Sequence, residues 1–491
     1  MYRLKRILRC SAKRYVIRSV QQSNIPLTIA DIPHPKSLPI IGTKLDLILA
    51  GSGKKLHEYI DNRHKQLGSI FAERLSGSTE LIFISDPALI KSLFINLEGK
   101  YPIHILPDPW VLYEKIYGSH RGLFFMNGEE WLLNRRIINK HLLRENADDW
   151  IRLAVNKTVE DFIESLKNKT RNGCLVKDME FELYQLSTNV VINVLLGSNS
   201  LSRSRHNEEL LTIFTTSVRK IFQTTTRLYA LPINWCQRLN LKVWRDFKEC
   251  VDLSLFIEMI NHNDQSNGLI KRLMEDNMEE EMIIRIVADF IIAAGDTTAY
   301  TTLWILLLLS KNDEVVKNIR AQDNFYIKFV VKEAMRMYPV APFLTRILPQ
   351  DTTLGKYKLN KGTPIIASIY TSGRNEENFS KPNLFLPFRW NRNDQQKQYL
   401  VNHDPSASLP FAMGARSCIG KKIAMIQLTE IVSQIVKNFD IKCINKENIN
   451  CITSQVLIPD KPIEFTHITL RFLKKQFHNY DFKMFIAHLF K

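Results

Sequence analysis

Apolar residues recur at three- and four-residue spacing along much of the chain between residues 129 and 340. This is the period of amphipathic α-helices, and few prolines interrupt it. Earlier, residues 69–86 are rich in isoleucine and phenylalanine around a Gly-Ser turn, which predicts a β-hairpin. Residues 355–369 have the texture of short strands and turns, and a helix is expected to restart near Gly420. We therefore predict a mainly α-helical fold with smaller β-sheets, of the α+β class.

The N-terminal segment differs from the rest. Residues 1–30 interleave apolar residues with seven Lys and Arg, and no acidic residue precedes Asp31. The segment lacks the run of about 18 apolar residues that a membrane anchor needs and resembles a mitochondrial transit peptide; a disordered basic tail is the alternative. The proline-rich residues 32–39 cannot be helical. We predict a transit peptide over 1–30 and one domain over 31–491.

Charge and cysteine content narrow the class of protein. Of the formal net charge of +17, seven charges lie in the first thirty residues, which leaves +10 on the body, so nucleic-acid binding is not needed to explain it. The cysteines are odd in number, scattered and without a CxxC pair, which indicates a reduced compartment and argues against a disulfide-rich secreted protein. They are Cys10, Cys174, Cys236, Cys250, Cys418, Cys443 and Cys451.

One of them, Cys418, lies in a glycine-containing turn that could bind an iron. Gly414 and Gly420 permit a positive φ and a close approach of the backbone to a flat ligand. Phe411 offers an aromatic face, and Arg416 can pair with a carboxylate through two parallel hydrogen bonds. Amides in such a turn can also donate hydrogen bonds to a thiolate. Taken alone, the segment fits either an iron ligand or a buried structural cysteine beside a turn.

The pattern F-x-x-G-x-R-x-C-x-G resembles the haem-binding loop of the cytochrome P450 superfamily at every fixed position. The resemblance extends over nearly the whole body of the chain. It implies a P450 fold with haem b between an oxygen-activating distal helix and this loop, Cys418 being the axial iron ligand and Phe411 a haem contact. Trp131 and Arg135, four residues apart on one helical face, match the helix that grips a haem propionate, and Arg346 and Arg416 match the other propionate contacts.

An aspartate interrupts the apolar segment 283–309. Burying a carboxylate there is unfavourable unless it is paired or hydrated, so Asp296 indicates a proton-handling group, with a helix N-cap or a solvated kink as the alternatives. Gly295 and neighbouring hydroxyls can loosen the helical ladder. In the resembled family this is the acid–alcohol pair, which makes Asp296 and Thr297 the residues that deliver protons during oxygen activation. Ala294 stands where that family usually has glycine.

A second pair of residues on one helical face indicates a structural role. Glu333 and Arg336 are three residues apart and therefore share a helical face, although such pairs are common on surfaces. The resemblance implies that they lock with Arg389, in a loop some fifty residues later, and so hold the proximal side together. Phe388 stands where the family commonly has glutamate.

Electrons must come from a separate protein, because the chain shows no dinucleotide fingerprint and has no room for a flavin domain. Lys328 and Lys332 lie one helical turn apart, while Lys421 and Lys422 follow Gly420 directly. These lysines resemble the positions by which mitochondrial P450s bind an acidic [2Fe–2S] ferredoxin, which is reduced by an NADPH-dependent reductase; a solvated helix face is the alternative. The segment before Lys328 is markedly shorter than in the family, which bears on partner docking.

The implied activity is insertion of one oxygen atom of O2 into a C–H bond of a lipophilic substrate. The implied location is the mitochondrion, peripherally on the matrix side of the inner membrane. The stretch Ala-Ala-Gly-Asp-Thr-Thr further resembles arthropod ecdysteroid hydroxylases, the 2-hydroxylase branch first. Alternatives are xenobiotic oxidation, a haem-thiolate isomerase or dehydratase, and a haem sensor without catalysis. The intact Asp296 and Thr297 favour the monooxygenase.

Overall fold

A computed structural model of the chain describes residues 27–470, apart from 39–40, 76–78, 119–120, 145–146, 172–177, 198–204, 230, 252–266 and 323. The transit peptide predicted over residues 1–30 therefore falls almost entirely outside the described residues.

Helices dominate the described part of the chain, as the apolar periodicity predicts, and a short π-helical turn adds to them at Leu93–Leu97. The helices are α1 (Lys44–Leu49), α2 (Leu56–Leu67), α3 (Pro87–Ser92), α4 (Asp108–Tyr117), α5 (Gly128–Leu142), α6 (Ala147–Arg171), α7 (Met179–Leu196), α8 (Arg205–Tyr229), α9 (Ile233–Arg238), α10 (Lys242–Val251), α11 (Leu269–Glu275), α12 (Glu280–Ser310), α13 (Asp313–Gln322), α14 (Asn324–Met337), α15 (Ile369–Ser372) and α16 (Lys421–Asn438).

The strands form one four-stranded sheet and three two-stranded ones. They are β1 (Ile70–Glu73), β2 (Leu81–Ile84), β3 (Phe343–Ile347), β4 (Thr352–Leu354), β5 (Tyr357–Leu359), β6 (Pro364–Ser368), β7 (Phe439–Cys443), β8 (Cys451–Ser454), β9 (Val456–Pro459) and β10 (Phe465–Leu470). The larger sheet has the order β1-β2-β6-β3, and the small ones pair β7 with β10, β4 with β5 and β8 with β9. Strands β1 and β2 are antiparallel, which confirms the predicted hairpin.

Helix α12 runs through the main core. Its residues are apolar on nearly all sides, which is typical of a buried helix, and almost every position from Ile283 to Ser310 is buried. It packs against α7 on one side and α16 on another. No helix in the described ranges combines the length and the apolar character needed to cross a membrane.

Helix α14 follows α13 after the single residue 323. One face of α14 packs into a second core cluster, with Ile327, Val330, Val331 and Ala334 all buried. Its opposite face is exposed at Phe325, Lys328 and Lys332. The contracted connection seen in the sequence thus leaves a single residue between the two helices.

The proline-rich segment before α1 packs against the large sheet. Ile32 is buried, and the carbonyl of Pro33 accepts a hydrogen bond from the amide of Ala72 in β1 at 2.9 Å. The segment is not helical, as its prolines predict, and it contributes to the core beside that sheet.

Candidate active site

Two glycines shape the loop that holds Cys418. The amide of Cys418 donates to the carbonyl of Phe411 at 2.9 Å. Gly414 has a φ of +80°, and a Cβ added there would lie 2.2 Å from the carbonyl oxygen of Phe94, so a larger residue does not fit. Gly420 has a φ of −81°, and the expected positive φ is wrong for this residue. An added Cβ would lie 3.9 Å from Sγ of Cys418, so the backbone of Gly420 passes directly beside the sulfur.

The Cys418 sulfur combines an accessible surface with a position deep in the protein. Its side chain is exposed, yet burial raises the pKa of the thiol, while the backbone amides of Gly420 and Lys421 and the charge of Arg135 act to lower it. A side chain that is accessible although protein surrounds it lines an internal cavity. The amides lie at the start of α16, where the helix dipole favours negative charge, and so favour a thiolate that can bind iron.

Trp131 and three arginines border the cysteine loop. Nη2 of Arg135 donates to the carbonyl of Ser417 at 2.6 Å, and the guanidinium of Arg416 lies 4.5 Å from the centroid of the Trp131 ring. Nε of Arg135, Nε of Arg416 and Nη2 of Arg346 are buried without a hydrogen-bond partner among the described residues. Buried unpaired donors are rare. The propionate carboxylates of a haem would be suitable acceptors, so these residues fit that cofactor.

Glu98, which the sequence analysis missed, connects two parts of this cluster. Its Oε2 accepts a hydrogen bond from Nε of Arg346 at 2.7 Å, and its Oε1 accepts one from the amide of Ala415 at 2.7 Å. One buried carboxylate thus fixes both strand β3 and the cysteine loop. No local pattern marks it, because its partners are 248 and 317 residues away in the sequence.

His104 adds a half-buried polar group that the sequence analysis did not single out. Its Nδ1 lies 3.2 Å from Nη1 of Arg416. A guanidinium can only donate, so Nδ1 accepts and Nε2 carries the proton. Burial, together with the charges of Arg416 and Arg346, lowers the pKa of His104 to about 3. Nε2 has no partner in the described part of the chain and offers one more donor to a carboxylate.

Asp289, two turns before Thr297 on α12, anchors the segment that follows α4. Its Oδ2 accepts a hydrogen bond from the amide of Phe124 at 3.1 Å, and its Oδ1 lies 3.6 Å from Nη2 of Arg121. The guanidinium of Arg121 in turn lies 4.5 Å from the centroid of the Trp110 ring. The Phe124 ring also packs against His104, with centroids 4.4 Å apart. This ion pair therefore holds one wall of the site against α12.

One face of α12 lines an internal cavity. Ala293 is exposed in a helix that is otherwise almost entirely buried. Thr297 lies one turn later on the same face, and its Oγ1 donates to the carbonyl of Ala293 at 2.7 Å. Ser187 of α7 donates to the carbonyl of Ala294 at 2.8 Å. The helix continues through Gly295, so the loosening of the ladder expected at this glycine does not occur.

Asp296 points away from Thr297, because successive residues of an α-helix are about 100° apart around its axis. It is buried in the middle of α12, which excludes a cap or a solvated kink. Burial raises the pKa of Asp296 to about 7, and the hydroxyl of Tyr184 acts against that rise. Tyr184 packs onto Gly295, where an added Cβ would lie 2.7 Å from the phenolic oxygen. The glycine therefore makes room for the tyrosine.

Further polar groups extend from Asp296 toward the surface. Tyr300, one turn later on α12, donates to Oε1 of Glu180 at 2.9 Å. Arg219 of α8 donates to the same oxygen at 2.5 Å. The side chains of Glu180 and Arg219 are 23% and 27% exposed. Burial, and then the charges of Glu180 and Asp296, raise the pKa of Tyr300, so ionisable groups lie between the buried carboxyl and a partly exposed ion pair.

The raised pKa of Asp296 predicts a pH-dependent stability. The ordinary carboxyl titrates near 3.8 and the folded one near 7, so the native state binds more protons between these values. The free energy of unfolding therefore falls as pH rises through this range. Replacing Asp296 with asparagine removes that effect. We expect the melting temperature of Asp296→Asn, relative to the unmodified protein, to rise between about pH 5 and about pH 7.5.

Asp148→Asn is the matched control, because the hydrogen bond from Lys422 holds the pKa of Asp148 below its usual value, and a lysine, unlike a histidine, does not normally change its charge in this pH range. Its difference from the unmodified protein should stay constant over the same pH range. A constant difference for Asp296→Asn as well would contradict the prediction.

Glu333 is the centre of a buried ion cluster. Its two carboxylate oxygens accept Nη2 and Nε of Arg336 at 2.8 and 2.9 Å, and Oε1 also accepts Nε of Arg389 at 2.9 Å. The indole of Trp390 and the amide of Leu386 complete its hydrogen bonds. Burial opposes ionisation, but these partners hold the pKa of Glu333 below its usual value. The structure thus brings together the three residues that the sequence pattern suggested.

Three of the four predicted docking lysines lie close together. Burial and then the charges of Lys421, Lys328 and Arg392 lower the pKa of Lys332. The side chains of these four residues are exposed. Arg392 was not predicted, and it enlarges the cluster to four cations.

Lys422 differs from the other three lysines. Its Nζ lies 2.8 Å from Oδ1 of Asp148 and donates to the carbonyl of Arg144 at 2.5 Å. It is only partly exposed. Its charge is already paired, so it contributes less to a docking surface than the prediction supposed.

Three features define a haem-thiolate protein. A cysteine lies beside the amides of a helix start, buried cations carry unpaired N–H donors, and an apolar helix presents a threonine and a buried aspartate. Ala294 of α12 and Ile419, next to Cys418, both pack against the main core cluster, to which α12 and α16 contribute buried side chains. The sequence profile of the cytochrome P450 family matches residues 32–467. The chain belongs to the cytochrome P450 family; it is a monooxygenase, and its cofactor is haem.

Relatives place it in the mitochondrial class of that family. It is 36% identical over 460 residues to cytochrome P450 315a1, mitochondrial, of Drosophila melanogaster, which covers 88% of this chain and 87% of the relative. It is 28% identical to the mitochondrial 1,25-dihydroxyvitamin D(3) 24-hydroxylase of Rattus norvegicus, with 89% of each chain covered. With the mitochondrial cholesterol side-chain cleavage enzyme of Hypanus americanus, identity is 27% over 83% and 84% of the two chains.

Proposed function

We propose that this chain is a mitochondrial steroid hydroxylase. The observation that carries the proposal is its similarity, over more than four fifths of its length, to relatives named for cholesterol and for a vitamin D derivative. Apolar residues of α12, such as Phe290 and Ala293, suit a lipophilic substrate. Ecdysteroids, with hydroxylation at the 2-position, are the first choice, because the sequence from Ala293 to Thr298 resembles that branch. The domain runs over residues 31–491 after the transit peptide.

Haem, when bound, supplies the activation of O2 and the insertion of one oxygen atom into a C–H bond of the substrate, the other atom leaving as water. The Cys418 thiolate would hold the iron. Arg135, Arg346 and Arg416 would hold the propionates with their unpaired N–H groups, and Nε2 of His104 would add a further donor. Trp131 keeps Arg416 in place through contact with its ring, and Phe411 fixes the amide of Cys418.

Protons reach the site through residues of α12. Thr297 holds a proton at Oγ1 on the cavity face of the helix, and the carboxyl of Asp296, with a pKa of about 7, can exchange protons at neutral pH. The pair of Glu180 and Arg219 is partly exposed. Tyr300 donates to Glu180 and lies near Asp296, as does Tyr184. The two oxygen-activating residues thus have separate tasks, one at the cavity and one toward the surface.

A ferredoxin of the [2Fe–2S] type, reduced by its NADPH-dependent reductase, would supply electrons at the surface formed by Lys328, Lys332, Lys421 and Arg392. The double variant Lys328→Gln with Lys332→Gln should keep haem binding and lower the rate of association with ferredoxin, because charge mainly steers encounter. The dependence of that rate on salt should weaken too. Stopped-flow association kinetics measure both, and an unchanged rate would argue against this docking surface.

Peripheral membrane association, on the matrix side of the inner membrane, is supported by a cluster of exposed apolar residues around α9. They are Leu231, Trp235, Leu239 and Leu241, which are 44%, 64%, 61% and 41% exposed. Lys242 and Arg245 follow them and suit anionic headgroups. The bilayer surface is the proposed occupant of this patch.

Replacing Trp235 and Leu239 by serine should weaken binding to vesicles of anionic phospholipid by about a hundredfold or more, since each buried side chain contributes about 1.5–3 kcal/mol. Cosedimentation measures the partition constant. Tyr399→Ser, at a site that is 76% exposed and outside this patch, is the control. Equal binding of all three proteins would contradict the proposal.

The decisive test combines spectroscopy and turnover. The purified protein, reduced under carbon monoxide, should show the red-shifted Soret band of thiolate-ligated haem. Ecdysteroid precursors should perturb the haem spectrum and be hydroxylated with NADPH, reductase and ferredoxin. Product formation without any electron donor would instead indicate an isomerase or dehydratase. Turnover of varied foreign lipophiles, but not of steroids, would indicate xenobiotic oxidation.

A further inference from the structure

The outward face of α14 carries an aromatic residue in line with the docking lysines. Phe325 precedes Lys328 by three residues and Lys332 by seven, so the three side chains lie within about 60° of one another around the helix axis. Along that axis they span about 10 Å. The opposite face packs into the core, which fixes the orientation of this face toward solvent.

Phe325 is 58% exposed. Its ring packs edge-on against that of Phe329, with centroids 5.1 Å apart, so it has a defined position. The short junction between α13 and α14 places it at the very start of α14, next to the end of the preceding helix. A single exposed aromatic residue needs no explanation by itself. This one is informative because it shares an exposed helical face with Lys328 and Lys332.

The docking lysines Lys328, Lys332 and Lys421 have no carboxylate partners in the part of the chain that the structure describes. Salt bridges are present for many other lysines and arginines, including Lys317 of α13 and Lys422. None involves Lys328, Lys332 or Lys421 within the described ranges, although they lie close enough for their charges to lower the pKa of Lys332. A group of like charges without counter-charges is suited to an acidic protein surface.

We propose that Phe325 is the apolar anchor of the docking surface for the acidic [2Fe–2S] ferredoxin. The inference rests on the proposed electron donor and assigns to its docking site a residue that charge alone would not identify. Interfaces derive much of their affinity from a few aromatic residues that become buried at the centre, whereas charged residues at the rim mainly set the rate of association. Phe325 and the lysines therefore have different kinetic roles.

Surface plasmon resonance with the full-length haem-loaded protein and a mitochondrial-type [2Fe–2S] ferredoxin, at several salt concentrations, separates these roles. Phe325→Ser should raise the dissociation rate constant about tenfold while leaving the association rate constant and its salt dependence unchanged. The double variant Lys328→Gln with Lys332→Gln should lower the association rate constant and weaken its salt dependence, while leaving the dissociation rate constant unchanged. Leu49→Ser, which removes an 87% exposed apolar side chain from α1, should change neither. Dissociation of Phe325→Ser at the normal rate would overturn the inference.

The outcomes distinguish this inference from the proposed function. Absence of the red-shifted Soret band, or of ferredoxin binding, in the unmodified protein would refute the proposed function itself. A response of the lysine variant alone would leave electron delivery intact and refute only the anchor. If Phe325→Ser were to lose the Soret band, the binding experiment is repeated with Phe325→Leu, which keeps most of the apolar area. It should dissociate at an intermediate rate, and the normal rate would again refute the anchor.

Discussion

Replacing Cys418 by serine is expected to abolish the red-shifted Soret band of the reduced, carbon monoxide-treated protein. The band requires a thiolate ligand, and a serine hydroxyl, which does not ionise near neutral pH, cannot replace its electron donation. The amide of residue 418 would still donate to Phe411, so the loop should keep its shape. Difference spectroscopy measures the band, and circular dichroism should show the same helix content in both proteins.

Cys451→Ser is the matched control for this experiment. Cys451 is another free thiol, but it is buried and lies in β8, with its sulfur 3.3 Å from Nε2 of His57. Burial raises the pKa of its thiol as well, and the thiol belongs to a strand pair rather than to the glycine-containing loop of Cys418. The control should therefore retain the full band. Loss of the band in Cys451→Ser and its retention in Cys418→Ser would contradict the assignment of the ligand.

Replacing Glu333 by glutamine is expected to be the most destabilising of the single changes considered. It leaves the guanidinium groups of Arg336 and Arg389 buried without a counter-charge, and breaking a buried ion pair in this way costs about 3–5 kcal/mol. The same change weakens the bonds to Trp390 and Leu386, which hold the segment after α15 to α14. Urea unfolding followed by circular dichroism should show the lower midpoint, and haem retention should fall with it.

Glu314→Gln provides the comparison. Glu314 lies 3.3 Å from Nζ of Lys317 on the surface of α13, and both side chains are more than 70% exposed. Exposed pairs of this kind contribute about 0–1 kcal/mol, so its unfolding midpoint should stay close to that of the unmodified protein. Similar midpoints for Glu333→Gln and Glu314→Gln would contradict a structural role for the buried cluster.

The sequence predicts those parts of the site that depend on local spacing. The cysteine loop is a contiguous segment, the exposed face of α14 follows from helical period, and Glu333 with Arg336 are one turn apart. Glu98, His104 and Tyr184 were missed because their partners lie far away in the sequence. Only the packing of separate elements reveals them.

Two local expectations needed correction for related reasons. Gly420 has an ordinary negative φ, and its lack of a side chain lets the backbone pass beside the sulfur of Cys418. Gly295 accommodates the ring of Tyr184 from a neighbouring helix and leaves α12 unbroken. In both cases the glycine is needed because a neighbouring group packs closely against it, whereas its conformational freedom was expected to matter.

The long-range hydrogen bonds of Glu98 imply that the haem site forms late during biosynthesis. Its two partners come 248 and 317 residues later, and closing such long loops is entropically unfavourable until much of the chain has collapsed. A polypeptide halted before residue 410 would contain Trp131, Arg135 and Arg346 but not the thiol or Ala415. Cofactor capture therefore belongs to the last stage of maturation, after nearly the entire chain has entered the compartment where it folds.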